Sequence, residues 1–548
     1  MLPLVSLFVV ASGLAMQAGQ IPAPPAQASA VADGYRLFVQ GRVLESRGDL
    51  PGAIDAYKKA IEAAPRAADI HAELAALYAR DGRAQPAITE AELALTIDPK
   101  NHEAHRIAGL IYAALAEQAP LGQAGSTEKL ALSHLEEAYA GGVRDPLVLL
   151  SLGRLRVQAS QYEKGIEILS NFLLAEPGYP EGVMLLAEAY DNSGQVAQAI
   201  AQLESLPTDR PELVRAQTWL AELYERSGRW SDAAAKWGSL AMQAPRTVTY
   251  RIRRAGALLN MGAPADLAAS RDILTDVVKN TPKDAASLYL LAHAERRLGN
   301  AAGAEDAARK IIALDPNDPR GPLAMTEAKM AAKDYKAAVA TLEPLYASVS
   351  QAPGPNSTRT FVARALAESL RAAEDGARAI KVLEDTSREN PDDLDLVVLV
   401  AAEYEHAGQF DQAERTLRGV LAGHPDQGAA LNALGYMFAN RNQKLDEAAA
   451  LITRALTVEA DNPAFLDSLG WVYVKQRKYA EAVTPLERAA AALPRDSVVL
   501  DHLGELYFQQ KRYREAADAW TRSLDGDRVT IDPAAITKKR DRARELAK

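Results

Sequence analysis

A chain of 548 residues without a single cysteine rules out disulfides, thiolate nucleophiles and cysteine-held zinc. It is also several times the usual length of one compact domain, which leaves either three or four domains or one elongated array. Its 48% apolar and 24% charged residues make it foldable, its Ala and Leu content beside only 8 Phe favours helices packed through small contacts, and a net charge of −10 with no long basic stripe argues against nucleic acid as a partner.

The N-terminus opens with the apolar run Leu2–Leu14, too short to span a bilayer as a lone helix, followed by the Pro- and Ala-rich IPAPPAQASA with a cleavable-type Ala28-Ser29-Ala30. This reads as an export signal over residues 1–30 and a periplasmic or secreted protein. No Lys or Arg precedes Arg36, so the alternative is an uncleaved N-terminus tethering the chain to the inner membrane, the one route to membrane contact. Lipid anchoring would need a cysteine after the run.

From about residue 34 to 527 one skeleton recurs every 34 residues. Position 8 of the unit is small (Gly41, Gly153, Gly435, Gly470, Gly504), position 11 is often Tyr (Tyr78, Tyr473, Tyr507), position 20 is Ala (Ala53, Ala482, Ala516) and position 32 is often Pro (Pro65, Pro316, Pro494). Apolar residues at positions 4, 7, 8 and 11 form one helical stripe, and a second follows at 20, 24 and 27. A glycine near position 15, such as Gly48, Gly194 or Gly408, ends the first helix. Each unit is therefore predicted as two short antiparallel helices whose small residues let the backbones approach, and each pair must stack on the next to bury its outer face.

The pattern weakens from 246 to 391, where Arg254 takes an inward position, Pro322 falls inside a first helix and the unit at 360–391 lacks the glycine break. Residues 116–127 read as an extended turn. Residues 347–359 read as a linker between an N-terminal array (31–346) and a C-terminal array (360–527), at which the two could hinge. Asp532-Pro533 then opens a basic capping helix within 528–548, carrying Lys538, Lys539, Arg540, Arg542, Arg544 and Lys548 on a solvated face.

These residues resemble the tetratricopeptide repeat. The resemblance implies an all-α, right-handed superhelical solenoid of about 13 to 14 units, with a concave groove lined by the first helix of each. The block 431–524 further resembles the C-terminal arrays of bacterial cell-envelope members of that family.

Catalytic chemistry has little to stand on. No P-loop, GxSxG or GxGxxG occurs, and the segments outside the repeat are too short for a catalytic domain. His102 and His105 lack the HExxH order and a third ligand, and Asp392, Asp393 and Asp395 sit where helix starts favour acids. The chain is thus expected to be no enzyme and to hold no cofactor or metal; an enzyme or metal protein supported by the solenoid is the alternative.

Positions 2, 5, 9 and 12 of the first helices form a separate stripe, which the resemblance turns toward the groove. In the last three units it offers Asn432 and Tyr436, then Asp467 and Trp471, then Asp501, Glu505 and Phe508. Three aromatics beside three acids suit a protein or peptide segment that is apolar with basic flanks, and no small-molecule substrate. The family's carboxylate clamp is discounted, since its Lys and Asn positions carry Phe38 and Arg42, Ala72 and Ala76, Asp467 and Trp471. The expected function is a scaffold in bacterial envelope assembly, with a cytoplasmic, membrane-tethered adaptor as a further alternative. Enlarging Ala482 to Leu should cost about 1–3 kcal/mol by overpacking, measurable as a lowered denaturation midpoint.

Overall fold

The two apolar stripes of each unit can be buried only by closing on one another and on the next unit, so the chain folds as a succession of helical hairpins. The computed structural model describes residues 26–119, 125–208, 210–351, 354, 356–526 and 531–548, and among these no strand occurs. Most of the expected export segment lies outside the described residues; Ala28-Ser29-Ala30 stands within the first helix.

Two compact units part between Ala244 and Pro245. The first contains the hairpins α1 (Ala26–Ser46) and α2 (Leu50–Ala63), α3 (Ala68–Arg80) and α4 (Ala84–Ile97), α5 (His102–Gln118) and α6 (Gly125–Ala140), α7 (Pro146–Gln158) and α8 (Tyr162–Ala175), α9 (Pro180–Asn192) and α10 (Val196–Glu204), and α11 (Val214–Arg226) and α12 (Trp230–Gln243). The second contains α13 (Val248–Met261) and α14 (Pro264–Asn280), α15 (Ala285–Arg297) and α16 (Ala301–Leu314), α17 (Arg320–Ala331) and α18 (Tyr335–Val349), α19 (Ser357–Ala372) and α20 (Gly376–Glu389), α21 (Leu394–His406) and α22 (Phe410–Gly423), α23 (Gly428–Asn440) and α24 (Leu445–Val458), α25 (Pro463–Lys475) and α26 (Tyr479–Ala492), and α27 (Ser497–Gln509) and α28 (Tyr513–Asp525). A single helix, α29 (Pro533–Leu546), closes it. Within each unit a helix packs on its hairpin partner and on the next hairpin, and first helices such as α21, α23, α25 and α27 also touch in series. The family's all-α solenoid is therefore the observed architecture.

The small residue at position 8 is a steric requirement. A methyl group added at Gly470 would lie 2.4 Å from Leu486, at Gly153 2.5 Å from Leu169, at Gly435 2.6 Å from Ile452 and at Gly504 2.7 Å from Trp520. In each case the first helix lends its bare backbone to a large side chain of the second. At the closing end, Ile536 and Ala543 of α29 are buried against Trp520 and Leu524.

Three sequence expectations change. Arg254 is exposed while its neighbour Ala255 is fully buried, so the inward register of α13 is shifted by one residue. Pro322 falls in the first turn of α17, where a backbone N–H has no helical partner to lose. Residues 347–359 lie inside the second unit, where Leu345 of α18 and Val362 and Leu366 of α19 belong to one continuous core. The described residues on the two sides of that segment therefore pack into a shared core.

The missing glycine at 360–391 is not a missing turn. Gly408 takes φ +72° after α21, and Glu374 takes the same left-handed conformation at φ +64° after α19, as do Lys333, Arg477 and Lys511 in their units. A side chain there is strained because its Cβ crowds the following carbonyl. Glu374→Gly should therefore raise stability by about 0.5–1 kcal/mol, and Gly408→Ala, whose added methyl meets open space, should lower it by about 1 kcal/mol through strain alone. Denaturant melts of both variants check the pair.

Candidate functional site

The serial packing of α21, α23, α25 and α27 leaves their remaining stripe on one face of the second unit. A groove of about 1020 Å³ runs along it, lined by Glu405, Asn432, Tyr436, Asp467 and Asp501 from the four helices and closed on one side by Ile536 and Lys539 of α29. A second recess of about 740 Å³, on α25 and α27, is lined by Trp471, Lys475, His502 and Glu505.

Asp467 and His502 form the centre of this surface. Each is only 6% exposed, and His502 Nδ1 lies 3.0 Å from both Asp467 carboxylate oxygens. Trp471 stacks on the His502 ring at 4.1 Å and 14°, donates its indole N–H to Asn440 Oδ1 at 3.0 Å, and carries Lys475 Nζ 4.3 Å above its ring. Tyr436 lies 6.2 Å from the same histidine. Burial, reinforced by the Asp467 charge, pushes the Tyr436 hydroxyl up to about 12, so it remains a neutral donor at physiological pH.

The structure thus brings Tyr436, Asp467 and Trp471 together, but around a histidine. It also uses the other acids internally. Asp501 accepts two bonds from Lys539 Nζ, at 2.8 and 3.0 Å, and one from the Trp520 indole at 2.6 Å. Glu505 lies 3.8 Å from Lys539 and accepts from Gln509. Phe508 turns away from Trp471, packing on Trp520 at 5.7 Å and Tyr513 at 5.4 Å beneath Arg542. Three aromatics in register in the sequence therefore become one in the groove, one in the neighbouring recess and one in the closing core.

Two acceptors face the groove less fully satisfied. Asn432 Oδ1 is buried without a hydrogen-bond partner. The Glu405 carboxyl is held above the usual carboxylate range by burial, against the weaker opposing charges of His406 and Arg441.

His502 and Glu405 were not singled out from the sequence, and Lys539, read there as part of a solvated basic face, instead turns inward onto Asp501. The available signal for His502 was its place 35 residues after Asp467, nearly one repeat on; nothing local announced which acid Lys539 would meet.

Of the other sequence candidates, His105, Asp393 and Asp395 take structural roles. His105 lies beside His134, with their Nδ1 atoms 3.0 Å apart, and its Nε2 meets the Pro99 carbonyl at 3.1 Å. Asp393 caps α21 by accepting from Leu396 N–H, and Asp395 accepts from Gln427. Among the described residues no group of three or more His, Asp or Glu is arranged to hold a metal ion. In the first unit Phe38 packs on Tyr57 and Arg42 pairs with Glu73.

Tetratricopeptide repeat models match residues 41–82, 156–216, 263–319, 370–435 and 468–532. The chain belongs to the tetratricopeptide repeat family. The repeat supports a protein–protein interaction scaffold, and its usual partners are proteins or peptides. A TPR repeat-containing protein of Pseudomonas aeruginosa is 37% identical over 116 residues, which cover 21% of this chain and 20% of that protein. Cellulose synthase operon protein C of Pseudomonas fluorescens is 24% identical over 320 residues, covering 55% of this chain and 24% of that protein. The chain spans about a quarter or less of the length of these two curated relatives. The crystal structure of yeast Tom70 aligns over 80% of this chain and 96% of its own at 15% identity, with a TM-score of 0.44. Among the described residues no helix is long and apolar enough to cross a membrane.

The raised Glu405 carboxyl has a signed consequence. The folded state binds this proton more tightly than the unfolded state, so its contribution is most favourable in acid and is lost as pH rises from the ordinary carboxylate value through the raised one. Glu405→Gln should therefore melt higher than the natural chain at pH 7, with the gap closing near pH 4.

Proposed function

We propose that the groove of the second unit holds an extended or helical segment of a partner protein, making this chain a non-enzymatic scaffold. The observation that carries this reading is the buried, unpaired Asn432 Oδ1 beside Tyr436 in a groove of about 1020 Å³. A buried acceptor without a donor costs about 1–3 kcal/mol, and a turn of the Asn432 side chain toward the groove would let a guest's N–H remove that cost. Tyr436 and the flanking alanines of α21 and α25 offer the guest's apolar side chains a surface with little rotamer entropy to lose. A basic flank would have to take Asp501 and Glu505 from Lys539, so its charge contributes to selectivity more than to net affinity.

The place we propose for this activity is the bacterial cell envelope, in assembly or maintenance. Supporting it are the apolar run Leu2–Leu14 with its Pro- and Ala-rich sequel, and the partial likeness to cellulose synthase operon protein C. A mature N-terminus near residue 31, read by mass spectrometry of the protein from its native host, would establish export.

The binding reading is tested by crosslinked pull-down with the natural chain, Tyr436→Ala and Trp471→Ala, each variant first shown by circular dichroism to retain its helix content. Partners recovered with the natural chain should fall at least about tenfold with Tyr436→Ala, the scale of an interface anchor. Recovery of the same partners at the same yield by both variants would remove the groove from consideration.

A further inference from the structure

We infer that Arg297 and Arg495 form a clasp for an oxyanion, a phosphate or carboxylate group, at the C-terminal end of α13. The two side chains come from opposite ends of the second unit: Arg297 from the last turn of α15, Arg495 from the loop between α26 and α27. They meet over Gly262, the left-handed cap of α13. A methyl group added there would lie 2.5 Å from Arg297 Nη2 and 3.7 Å from Arg495 Nη1, so both guanidiniums reach within 4 Å of a single point.

Among the described residues no carboxylate pairs with either. Arg297 donates Nη1 to the Leu259 carbonyl, and Arg495 has no hydrogen bond or ion pair among the described residues. The charged groups that act on Arg297 are themselves cations, Arg296 and Arg495; after burial, they hold its pKa below the ordinary guanidinium value. Arg296 is only partly compensated, because Glu327, at 3.2 Å, is shared with His293 at the same distance.

Helix capping accounts for half of this arrangement. The exposed carbonyls of α13 favour one cation, and Arg297 fills that role. They do not account for a second guanidinium brought to the same spot from the other end of the unit, where like charges repel. Arginine's planar fork matches the paired oxygens of phosphate and carboxylate, so one oxyanion between the two would exchange repulsion for charge-assisted hydrogen bonds. It would also fasten the α13–α15 hairpins to the α26–α27 loop.

The test uses the full chain, melted with increasing inorganic phosphate or acetate, against chloride at equal ionic strength. In the natural chain phosphate should raise the melting temperature by at least about 2 °C over chloride and then saturate. Arg495→Gln, in an exposed loop, and Arg297→Gln should each abolish that rise; Arg388→Gln, an exposed arginine of α20, should keep it. A response to phosphate alone assigns the clasp to phosphoryl groups, and an equal response to acetate extends it to carboxylates. No rise over chloride in the natural chain, or the same rise in Arg495→Gln, overturns the proposal.

Discussion

The structure depends on how closely the two helices of a hairpin approach. At Gly470, Gly153, Gly435 and Gly504 the first helix has no side chain, and the space is filled by Leu486, Leu169, Ile452 and Trp520 from the second. Interiors packed at crystal-like density admit no compromise at such a contact, because an added methyl would sit well inside van der Waals distance. Both stripes of each helix follow from it. One closes the hairpin, the next docks the following hairpin, and what remains on the first helices becomes the face on which a groove can form.

The turn inside each hairpin is a weaker constraint. Ten glycines and seven other residues adopt positive φ among the described residues, and the latter include Glu374, Lys333, Arg477 and Lys511 at the ends of first helices. A strain of order 1 kcal/mol is small beside the burial gained by closing a hairpin, so stacking imposes the turn even where the residue resists it. That is why the unit at 360–391 keeps its architecture without its glycine, and why the core runs unbroken past 347–359.

The groove shows what stacking adds to composition. Asp467, Asp501 and Glu505 read in sequence as three free acids, but adjacent helices supply His502 to the first, and α29 supplies Lys539 to the others. Isolated carboxylates near a low-dielectric wall are costly, and a partner from the next repeat is the nearest relief. The polarity left for a guest therefore resides in Asn432, whose Oδ1 has no hydrogen-bond partner, and in Glu405, where burial outweighs the charges of His406 and Arg441. α29 acts twice here, burying Ile536 and Ala543 against the last hairpin while its Lys539 edges the groove.

The sequence by itself determined the helices, their pairing and their stacking, because small, aromatic and apolar residues at fixed offsets act through local geometry that repeats every turn and every unit. It also made Tyr436, Asp467 and Trp471 legible as members of one stripe. Tertiary structure alone decided which charges meet: His502 under Trp471, Lys539 on Asp501, Arg495 beside Arg297. Phe508 was likewise assigned to the closing core by the position of α29. Side-chain pairing between units depends on distances that no periodicity encodes, and a shift of one residue, as at Arg254 and Ala255, is enough to exchange a buried position for an exposed one.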